Sequence, residues 1–244
     1  AMDPAGRITM AKSPTTPRDQ SIGVLAGLGE LAQRLGLTLP EMLARCGQIV
    51  HGTTVATNAL LERKGAKLAL LTTRGHRDII EMHEGLKPER YNLRMPPPDP
   101  LVPRDLRFAV TERLTHDGSV AIPLDEGDVL TAIAQMKAAG VEAVAVCYLH
   151  AWRNPAHEQR TAALLAQHFP QAYTSTSSDV LPQIKEYERF STTVVNSYVG
   201  PVLKTYLDRL AARLSGAGYG GEVFIILSHG GIARLADAAR LPAA

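Results

Sequence analysis

The stretch that decides the fold is QIVHGTTVATNALLERKGAKLALLTTRG, residues 48–75. A short apolar run ends in His-Gly-Thr-Thr, a segment with helical spacing follows, and a second apolar run, KLALLTT, continues without a polar break. Such a continuous run is typical of a strand buried on both faces of a parallel sheet. The stretch therefore predicts strand, tight turn, helix and strand. Gly52 permits the turn, Thr53 or Thr54 caps the helix, and Gly65 ends it.

The same alternation of helix and strand signals continues outward in both directions. Apolar residues at helical spacing predict helices over 19–36 and 40–45, and a third helix over 154–169 begins with the favoured pair Asn154-Pro155. The buried run VEAVAVCYL (141–149) and the stretch AYTSTSS (172–178) predict strands. Together these signals predict an α/β fold with a mixed, mostly parallel sheet.

Four further segments carry weaker predictions. RITMAK (7–12) predicts a short strand, and residues 107–124 a hairpin that turns at Asp117-Gly118. Residues 85–104 are rich in proline, which predicts an irregular surface loop. The longest helical pattern, residues 188–214, contains Pro201, which should kink or break the helix.

Composition excludes several classes of function. The 26 basic residues nearly balance the 24 acidic ones, so the net charge of +2 predicts no nucleic-acid partner. No apolar run reaches the roughly 18 residues that a membrane span needs. Cys46 and Cys147 stand apart in apolar surroundings, which predicts buried free thiols in a reducing compartment, and hence a cytoplasmic protein.

Three predicted strands end in small or polar residues, at His51–Thr54, Thr72–Gly75 and Ser228–Gly231. Ligands of open parallel sheets bind beyond the carboxyl ends of the strands. In the first and third stretches a histidine adjoins a glycine, and glycine lets backbone N–H groups approach an anion. The alternative is that all three are ordinary turn and cap residues. The sequence contains no metal-binding motif, and no residue is assigned as catalytic.

Long, collinear motifs in this chain resemble the hydantoinase A / 5-oxoprolinase family, which includes the ATP-dependent acetone and acetophenone carboxylase subunits. They are HGTTVATNALLERKGAKLALLTTRGHRDIIEM (51–82), EAVAVCYLHAWRNPAHEQR (142–160), SSDVLPQIKEYERFSTTVVNSYVGPVLKTYLDRL (177–210) and SHGG (228–231). The resemblance implies an actin-like ATPase fold of ribonuclease-H-like halves. It also implies ATP and Mg²⁺ as cofactors, with ATP activating an amide or carbonyl oxygen by phosphorylation.

The resemblance also implies a domain division and a departure from the family. Residues 1–187 correspond to the N-terminal region of the family and residues 188–244 to the start of its hydantoinase A core. The family normally opens with an Asp-x-Gly-Gly-Thr-Phe-Thr-Asp phosphate hairpin, which this sequence lacks. We therefore expect a fragment that is inactive alone and whose unpaired strand edge makes it self-associate or rearrange.

By the same resemblance, one set of residues faces the cleft where nucleotide and substrate meet. The candidate ligand-binding residues are His51, Gly52, Thr53, Thr54, Asn58, Ser228, His229, Gly230 and Gly231. The expected partners are a hydantoinase B-like subunit or domain and a small-molecule substrate, with no nucleic acid and no membrane.

Three functions remain open from the sequence. The parent protein is expected to be an ATP-dependent hydrolase of a cyclic amide such as hydantoin, 5-oxoproline or a lactam. The first alternative is the ATP-binding subunit of a ketone carboxylase, and the second is a non-catalytic binding or assembly module. A sugar-kinase-like enzyme would share the fold but not these motifs. Fold alone does not choose among them.

Overall fold

The computed structural model describes residues 1–85, 89, 91–96 and 99–243. Its helices and strands follow one another in an α/β arrangement. In chain order the elements are α1 (Gln20–Arg34), α2 (Leu39–Arg45), β1 (Gln48–His51), α3 (Val55–Leu61), β2 (Leu68–Thr73), α4 (Ile79–Met82), a 3-10 helix (Arg104–Leu106), β3 (Arg107–Val110), β4 (Arg113–Leu114), β5 (Val120–Ile122), α5 (Glu126–Ala138), β6 (Ala143–Cys147), α6 (Ala156–His168), β7 (Tyr173–Thr176), α7 (Ser177–Val180), α8 (Glu186–Gly216), β8 (Glu222–Ile226), β9 (Ile232–Arg234) and α9 (Leu235–Arg240).

The chain forms two compact units. The first unit consists of residues 1–55 and 202–240, and the second unit of residues 56–201 and 241–243, so that the second is inserted into the chain of the first. These units differ from the regions 1–187 and 188–244 that the sequence predicts. The boundary between those two sequence regions stays a prediction.

The first unit is built on a three-stranded sheet with the order β1-β8-β9. β1 and β8 are parallel, with Gln48 opposite Glu222, whereas β8 and β9 are antiparallel. Within the described residues, the other edge of β1 has no strand partner. The helix α1 begins where the sequence predicts, because the Asp19 carboxylate accepts a hydrogen bond from the backbone N–H of Ser21 at 3.1 Å.

Arg213 attaches α1 to the C-terminal part of α8 within the first unit. Its Nη2 donates to the Asp19 carboxylate at 2.9 Å, and its Nε donates to the Ser21 hydroxyl at 2.8 Å. These contacts, the Ser21 hydroxyl first and Arg213 next, lower the pKa of the Asp19 carboxyl. The cap residue of α1 therefore also joins two helices.

The second unit is built on a four-stranded, all-parallel sheet with the order β3-β2-β6-β7. Every residue of β2 and of β6 is buried, as expected for strands covered on both faces. The helices α5 and α6 pack against each other and against β3, β6 and β7. The N-terminal part of α8 also contacts the sheet, because Asn196 donates to the Ser175 hydroxyl at 3.0 Å.

Two tyrosine rings lie directly against glycines in the second unit. A Cβ atom at Gly65 would lie 2.3 Å from Cε1 of Tyr198, and one at Gly200 would lie 2.4 Å from Cε1 of Tyr173. Gly65 was predicted to end α3, but α3 ends at Leu61 and Arg63 takes the left-handed conformation with φ 55°. Gly65 is therefore needed for the close approach of a ring rather than for a helix stop.

Several weaker predictions are corrected by the structure. RITMAK forms no strand: Ile8 makes only an isolated antiparallel bridge to Met2. The predicted hairpin is split, because RFAV joins the main sheet in parallel with β2 and only β4 and β5 form an antiparallel pair. The turn at Asp117-Gly118 is confirmed, with Gly118 at φ 89°.

The predictions for the long helix and the proline-rich loop have mixed outcomes. α8 continues through Pro201 as one helix, so the predicted break is wrong. Proline removes one backbone donor, and the other hydrogen bonds of a long helix can carry it past that position. The described residues of the predicted loop 85–104 contain no strand, while residues 86–88, 90, 97 and 98 lie outside the described residues. Cys147 is buried as predicted, but Cys46 is only half-buried.

Candidate functional site

Two of the predicted stretches lie at the same edge of the first unit's sheet. β1 and β8 are parallel neighbours with His51 opposite Ile225, so His51–Thr54 and Ser228–Gly231 both follow carboxyl ends at that edge. Gly52 is close enough to β8 that an added Cβ would lie 3.5 Å from Cδ1 of Ile226. The structure therefore brings these two stretches to one edge of one sheet, as the sequence predicts for a ligand site.

The side chain of His51 is held by a tyrosine that the sequence analysis did not select. His51 Nε2 lies 2.7 Å from the hydroxyl of Tyr206 on α8, and the two ring centroids are 5.8 Å apart. Burial lowers the pKa of His51, so the imidazole is neutral at pH 7. Burial raises the pKa of Tyr206, which keeps its proton. A neutral imidazole and an intact phenol share one hydrogen bond.

Thr53 extends this contact into a chain of hydrogen bonds. Its hydroxyl interacts with the Tyr206 hydroxyl, and the resulting hydrogen bond lowers the pKa of Tyr206 against the effect of burial. Thr53 Oγ1 also accepts a hydrogen bond from the backbone N–H of Val55 at 3.3 Å. If Thr53 donates to Tyr206 and Tyr206 donates to His51 Nε2, the proton of the imidazole lies on Nδ1. Such chains strengthen each member by mutual polarisation.

Gly52 differs from the local structure that was predicted for it, and the third stretch forms a turn. The backbone φ of Gly52 is not in the left-handed region, and a Cβ there would make only ordinary contacts, so the turn does not depend on glycine. Ser228–Gly231 connects β8 to β9 as a hairpin turn, with Gly230 at φ 88° and Leu227 N–H donating to Gly231 O at 2.8 Å. Ser228, His229 and Gly230 are exposed.

Asn58 is the one candidate that lies in the second unit. It occupies the first turns of α3 and is exposed, as is Thr54, which precedes the helix. Four residues separate Thr54 from Asn58, which is one helical turn. Their grouping with His51 as one ligand site stays a prediction.

A buried polar network in the second unit was missed by the sequence analysis. Glu158 lies in the first turn of α6, where an acidic residue is common and draws no notice in the sequence. Its carboxylate is fully buried and accepts hydrogen bonds from Ser177 Oγ at 2.6 Å, Ser178 N at 2.8 Å and Tyr148 N at 2.9 Å. Burial raises the pKa of Glu158, and these donors act against that rise. The carboxylate thus joins the ends of β6 and β7.

Arg189 completes the same network from α8. It is fully buried, and its guanidinium donates to Tyr148 O at 2.9 Å, Gln183 O at 3.0 Å and Ser177 Oγ at 3.1 Å. Every one of these partners is a backbone carbonyl or a hydroxyl inside the second unit. We interpret Glu158 and Arg189 as residues that hold the strand ends together.

Neither a metal site nor a membrane span is found in the part of the chain that the structure describes. No group of three or more histidine, cysteine, aspartate or glutamate side chains is placed to hold a metal ion there. In the same residues, none of the helices combines the length and the apolar character required to cross a bilayer.

Solved structures with similar folds define the class of this chain. The crystal structure of the ATP-dependent caprolactamase from Pseudomonas jessenii matches 96% of this chain with a TM-score of 0.88 and 40% identity. A nucleotide-free structure of acetone carboxylase matches 94% with a TM-score of 0.82 and 26% identity. The chain has the mixed, mostly parallel α/β fold of these proteins, which lie in the actin-like ATPase superfamily.

Sequence relatives then give the family. The model of the hydantoinase/oxoprolinase N-terminal region matches residues 1–169, and that of hydantoinase/oxoprolinase matches residues 189–244. The caprolactamase alpha subunit of Pseudomonas jessenii is 40% identical over 233 residues, covering 95% of this chain and 34% of that protein. The acetophenone carboxylase gamma subunit of Aromatoleum aromaticum is 36% identical over 241 residues, covering 93% of this chain and 33% of that protein.

The chain belongs to the hydantoinase/oxoprolinase family, which confirms the resemblance. It spans about a third of the length of these curated relatives.

The lowered pKa of His51 predicts a pH dependence of stability. The ordinary value is 6.5, and the folded protein binds this proton more weakly, so the unfolded chain takes up more protons below about pH 6.5. Protonation of His51 therefore lowers the free energy of unfolding as pH falls below about 6.5. We expect that His51→Gln reduces the drop in melting temperature between pH 7.5 and 5.5. Replacement of the exposed His116 is the control, and an unchanged drop in His51→Gln would contradict the assignment.

Proposed function

We propose that this chain is part of an ATP-dependent enzyme that opens a cyclic amide. The similarity to the caprolactamase alpha subunit over 95% of the chain carries this proposal. Amide carbonyls react slowly with water, and transfer of a phosphoryl group to the carbonyl oxygen turns that oxygen into a leaving group. Enzymes of phosphoryl transfer act mainly by positioning and by electrostatic stabilisation. The residues needed are therefore hydrogen-bond donors for oxygen atoms.

The edge of the first unit where β1 and β8 end fits such a role. Thr54 and Ser228, both exposed there, carry hydroxyl groups that can hydrogen-bond to phosphate oxygens. In the hydrogen-bond order described above, His51 carries its proton on Nδ1 and can donate it to an oxygen of the ligand. Tyr206 and Thr53 are positioning residues in this proposal, because they act through His51.

The cofactors, partner and compartment belong to the same proposal. We infer ATP as the cofactor, with Mg²⁺ neutralising its phosphates. We infer a second, hydantoinase B-like subunit, since relatives of this chain are subunits by name. We place the protein in the cytoplasm because both cysteines are free thiols. Self-association through the outer edge of β1 stays a prediction that light scattering can test.

Ketone carboxylation is the second candidate function. It is favoured by the similarity to the acetophenone carboxylase gamma subunit at 36% identity. The same chemistry applies, because a ketone or bicarbonate oxygen can also be activated by phosphorylation. Hydrolase and carboxylase therefore differ in the acceptor rather than in the use of ATP.

The test measures phosphate release from ATP by the full-length parent protein, purified with its partner subunit. Lactams, 5-oxoproline and hydantoin form one arm, and acetone or acetophenone with bicarbonate forms the other. Lactam-dependent phosphate release with matching formation of the ring-opened product supports the hydrolase, and dependence on ketone and bicarbonate supports the carboxylase. Failure of every substrate to stimulate ATP use would overturn the proposal.

A threonine pair provides the matched variants for this assay. Thr53→Val removes the hydroxyl that contacts Tyr206 while keeping the shape of the side chain, so we expect the substrate-stimulated kcat to fall roughly tenfold or more, because the orientation of His51 is lost. Thr57→Val, at an exposed position of α3, should leave kcat within about twofold. Equal activities of the two variants would remove Thr53 from the site.

A further inference from the structure

The order of the strands in the second unit marks a candidate ligand position between the carboxyl ends of β2 and β6. The proposed function does not use this position. In chain order its strands are β2, β3, β6 and β7, but in space β2 lies between β3 and β6. The chain leaves β2 toward one side of the sheet and leaves β6 toward the other. Loops that diverge in this way open a crevice at the carboxyl ends, where open α/β sheets bind their ligands.

The loops at this position have unusual backbone conformations. After β2, Gly75 has φ 96°, and after β6, His150 has φ 57°. A histidine in the left-handed region is uncommon, and such residues cluster at functional sites. Glycine adopts positive φ freely, so of these two residues only His150 has a backbone conformation that is uncommon for its type.

Beneath the loops, a buried carboxylate connects three elements. Glu112, which follows β3, is 2% exposed, and it accepts a hydrogen bond from the hydroxyl of Thr73 at the end of β2. Its other oxygen lies 2.8 Å from Nδ1 of His157 on α6. Thr73 Oγ1 in turn accepts from the backbone N–H of Leu149 at 2.8 Å. These hydrogen bonds hold together the residues that lie at the ends of β2, β3 and β6.

Arg113, in β4, supplies a positive charge next to the loop that follows β2. It is half-buried, its Nη1 lies 3.1 Å from Nε2 of His76, and its Nη2 donates to the carbonyl oxygen of Arg74 at 3.5 Å. In the part of the chain that the structure describes, no carboxylate lies within ion-pair distance of Arg113. Arg74, its neighbour here, is by contrast paired with Asp128 at 3.0 Å.

Two carboxylates, Glu112 and Glu186, act on His76 at longer range, but neither forms an ion pair with Arg113 in the described residues. Burial first and Arg113 second lower the pKa of His76, while Glu186 and Glu112 act in the opposite direction. Glu112 is engaged by Thr73 and His157, and Glu186 lies 3.8 Å from Arg189. A neutral His76 accepts from Arg113 at Nε2, so its Nδ1 carries a hydrogen and can donate.

We propose that this crevice binds a small oxyanion, a carboxylate or phosphate group, through the guanidinium of Arg113 and the imidazole of His76. A half-buried guanidinium with a neighbouring N–H donor matches the geometry of both anions. His150 lies on the loop that follows β6, the strand on the other side of this position. This site is formed by other residues than the one proposed for ATP, and its test does not depend on enzymatic activity.

The test is a titration of the purified protein, labelled at histidine, with inorganic phosphate and separately with sodium acetate. Histidine ring signals are followed by NMR at constant ionic strength. We expect saturable shifts of the His76 and His150 signals. Arg113→Gln should weaken the apparent affinity at least roughly tenfold, whereas Arg113→Lys, which keeps the charge but loses the planar fork of donors, should bind with intermediate affinity. Arg209→Gln, at an exposed arginine, is the matched control.

The outcomes show which kind of anion binds and whether the proposed site exists. Saturation by acetate alone indicates a carboxylate ligand, and saturation by phosphate alone a phosphate ligand, and either supports the proposal. Absence of saturable shifts with both anions, or equal affinity in Arg113→Gln, would overturn it. If Arg113→Gln does not fold, as judged by circular dichroism, the wild-type titration decides together with His76→Gln, which should also bind more weakly.

Discussion

Replacement of Glu158 by alanine is expected to destabilise the protein by about 3–5 kcal/mol, the range seen when one partner of a buried polar network is removed. The carboxylate is fully buried and is the acceptor for Tyr148 N, Ser177 Oγ and Ser178 N. Without it, two backbone donors and one hydroxyl lose their partner in the interior. Each unsatisfied buried group costs about 1–3 kcal/mol.

Urea denaturation followed by circular dichroism measures this loss. The matched control is Gln159→Ala, one residue further along α6 at an exposed position, which should change the free energy of unfolding by less than about 0.5 kcal/mol. Glu158→Ala should also speed hydrogen exchange at Tyr148 and Ser178. A loss below about 1 kcal/mol would show that water or rearrangement replaces the carboxylate, and that the network is not required.

The second large effect is expected for Gly65→Ala. An added Cβ would lie 2.3 Å from Cε1 of the buried Tyr198 ring. The ring is rigid, so it cannot relieve this clash by changing its own shape. Either the ring or the backbone between α3 and β2 must shift. Overpacking of this kind costs about 1–3 kcal/mol, and we expect the upper part of that range, measured as a lower urea midpoint.

A double-mutant cycle identifies the cause. In the background of Tyr198→Ala the ring is absent, so Gly65→Ala should cost less than about 1 kcal/mol, and the difference is the coupling between the two positions. Gly29→Ala is the contrasting control, since α1 has open space there and alanine is favoured in a helix by about 0.5–1 kcal/mol. Equal costs in both backgrounds would rule out the Tyr198 contact.

Local signals made the central part of the fold predictable. The strand, turn, helix and strand of residues 48–75 depend on hydrophobic runs and cap residues that are close in sequence, and all four elements are present. RITMAK was mispredicted because a short alternating pattern forms a strand only where a neighbouring strand offers its edge, and Met2 supplies a single bridge. The hairpin at 107–124 was split for the same reason, since β2 provides a parallel partner for RFAV.

The candidate sites were predictable only where their residues adjoin a strand end. His51 and His229 were selected because each sits beside a glycine after an apolar run. Tyr206 lies within the long helical pattern of residues 188–214, where nothing local distinguishes it, and its contact with His51 joins residues far apart in the chain. The pairs Glu112–His157 and Glu158–Ser177 likewise depend on tertiary packing. No pattern in a single sequence marks such contacts.

The insertion of the second unit has a consequence during protein synthesis. β1 finds its partner β8 only about 170 residues later in the chain, as the pairing of Gln48 with Glu222 requires. At about 5–20 residues per second, a ribosome needs roughly 10–35 s to make the intervening segment. Residues 56–201 can fold as they emerge, while both edges of β1 stay open. Translation speed across this segment therefore sets how long the nascent chain exposes an aggregation-prone strand.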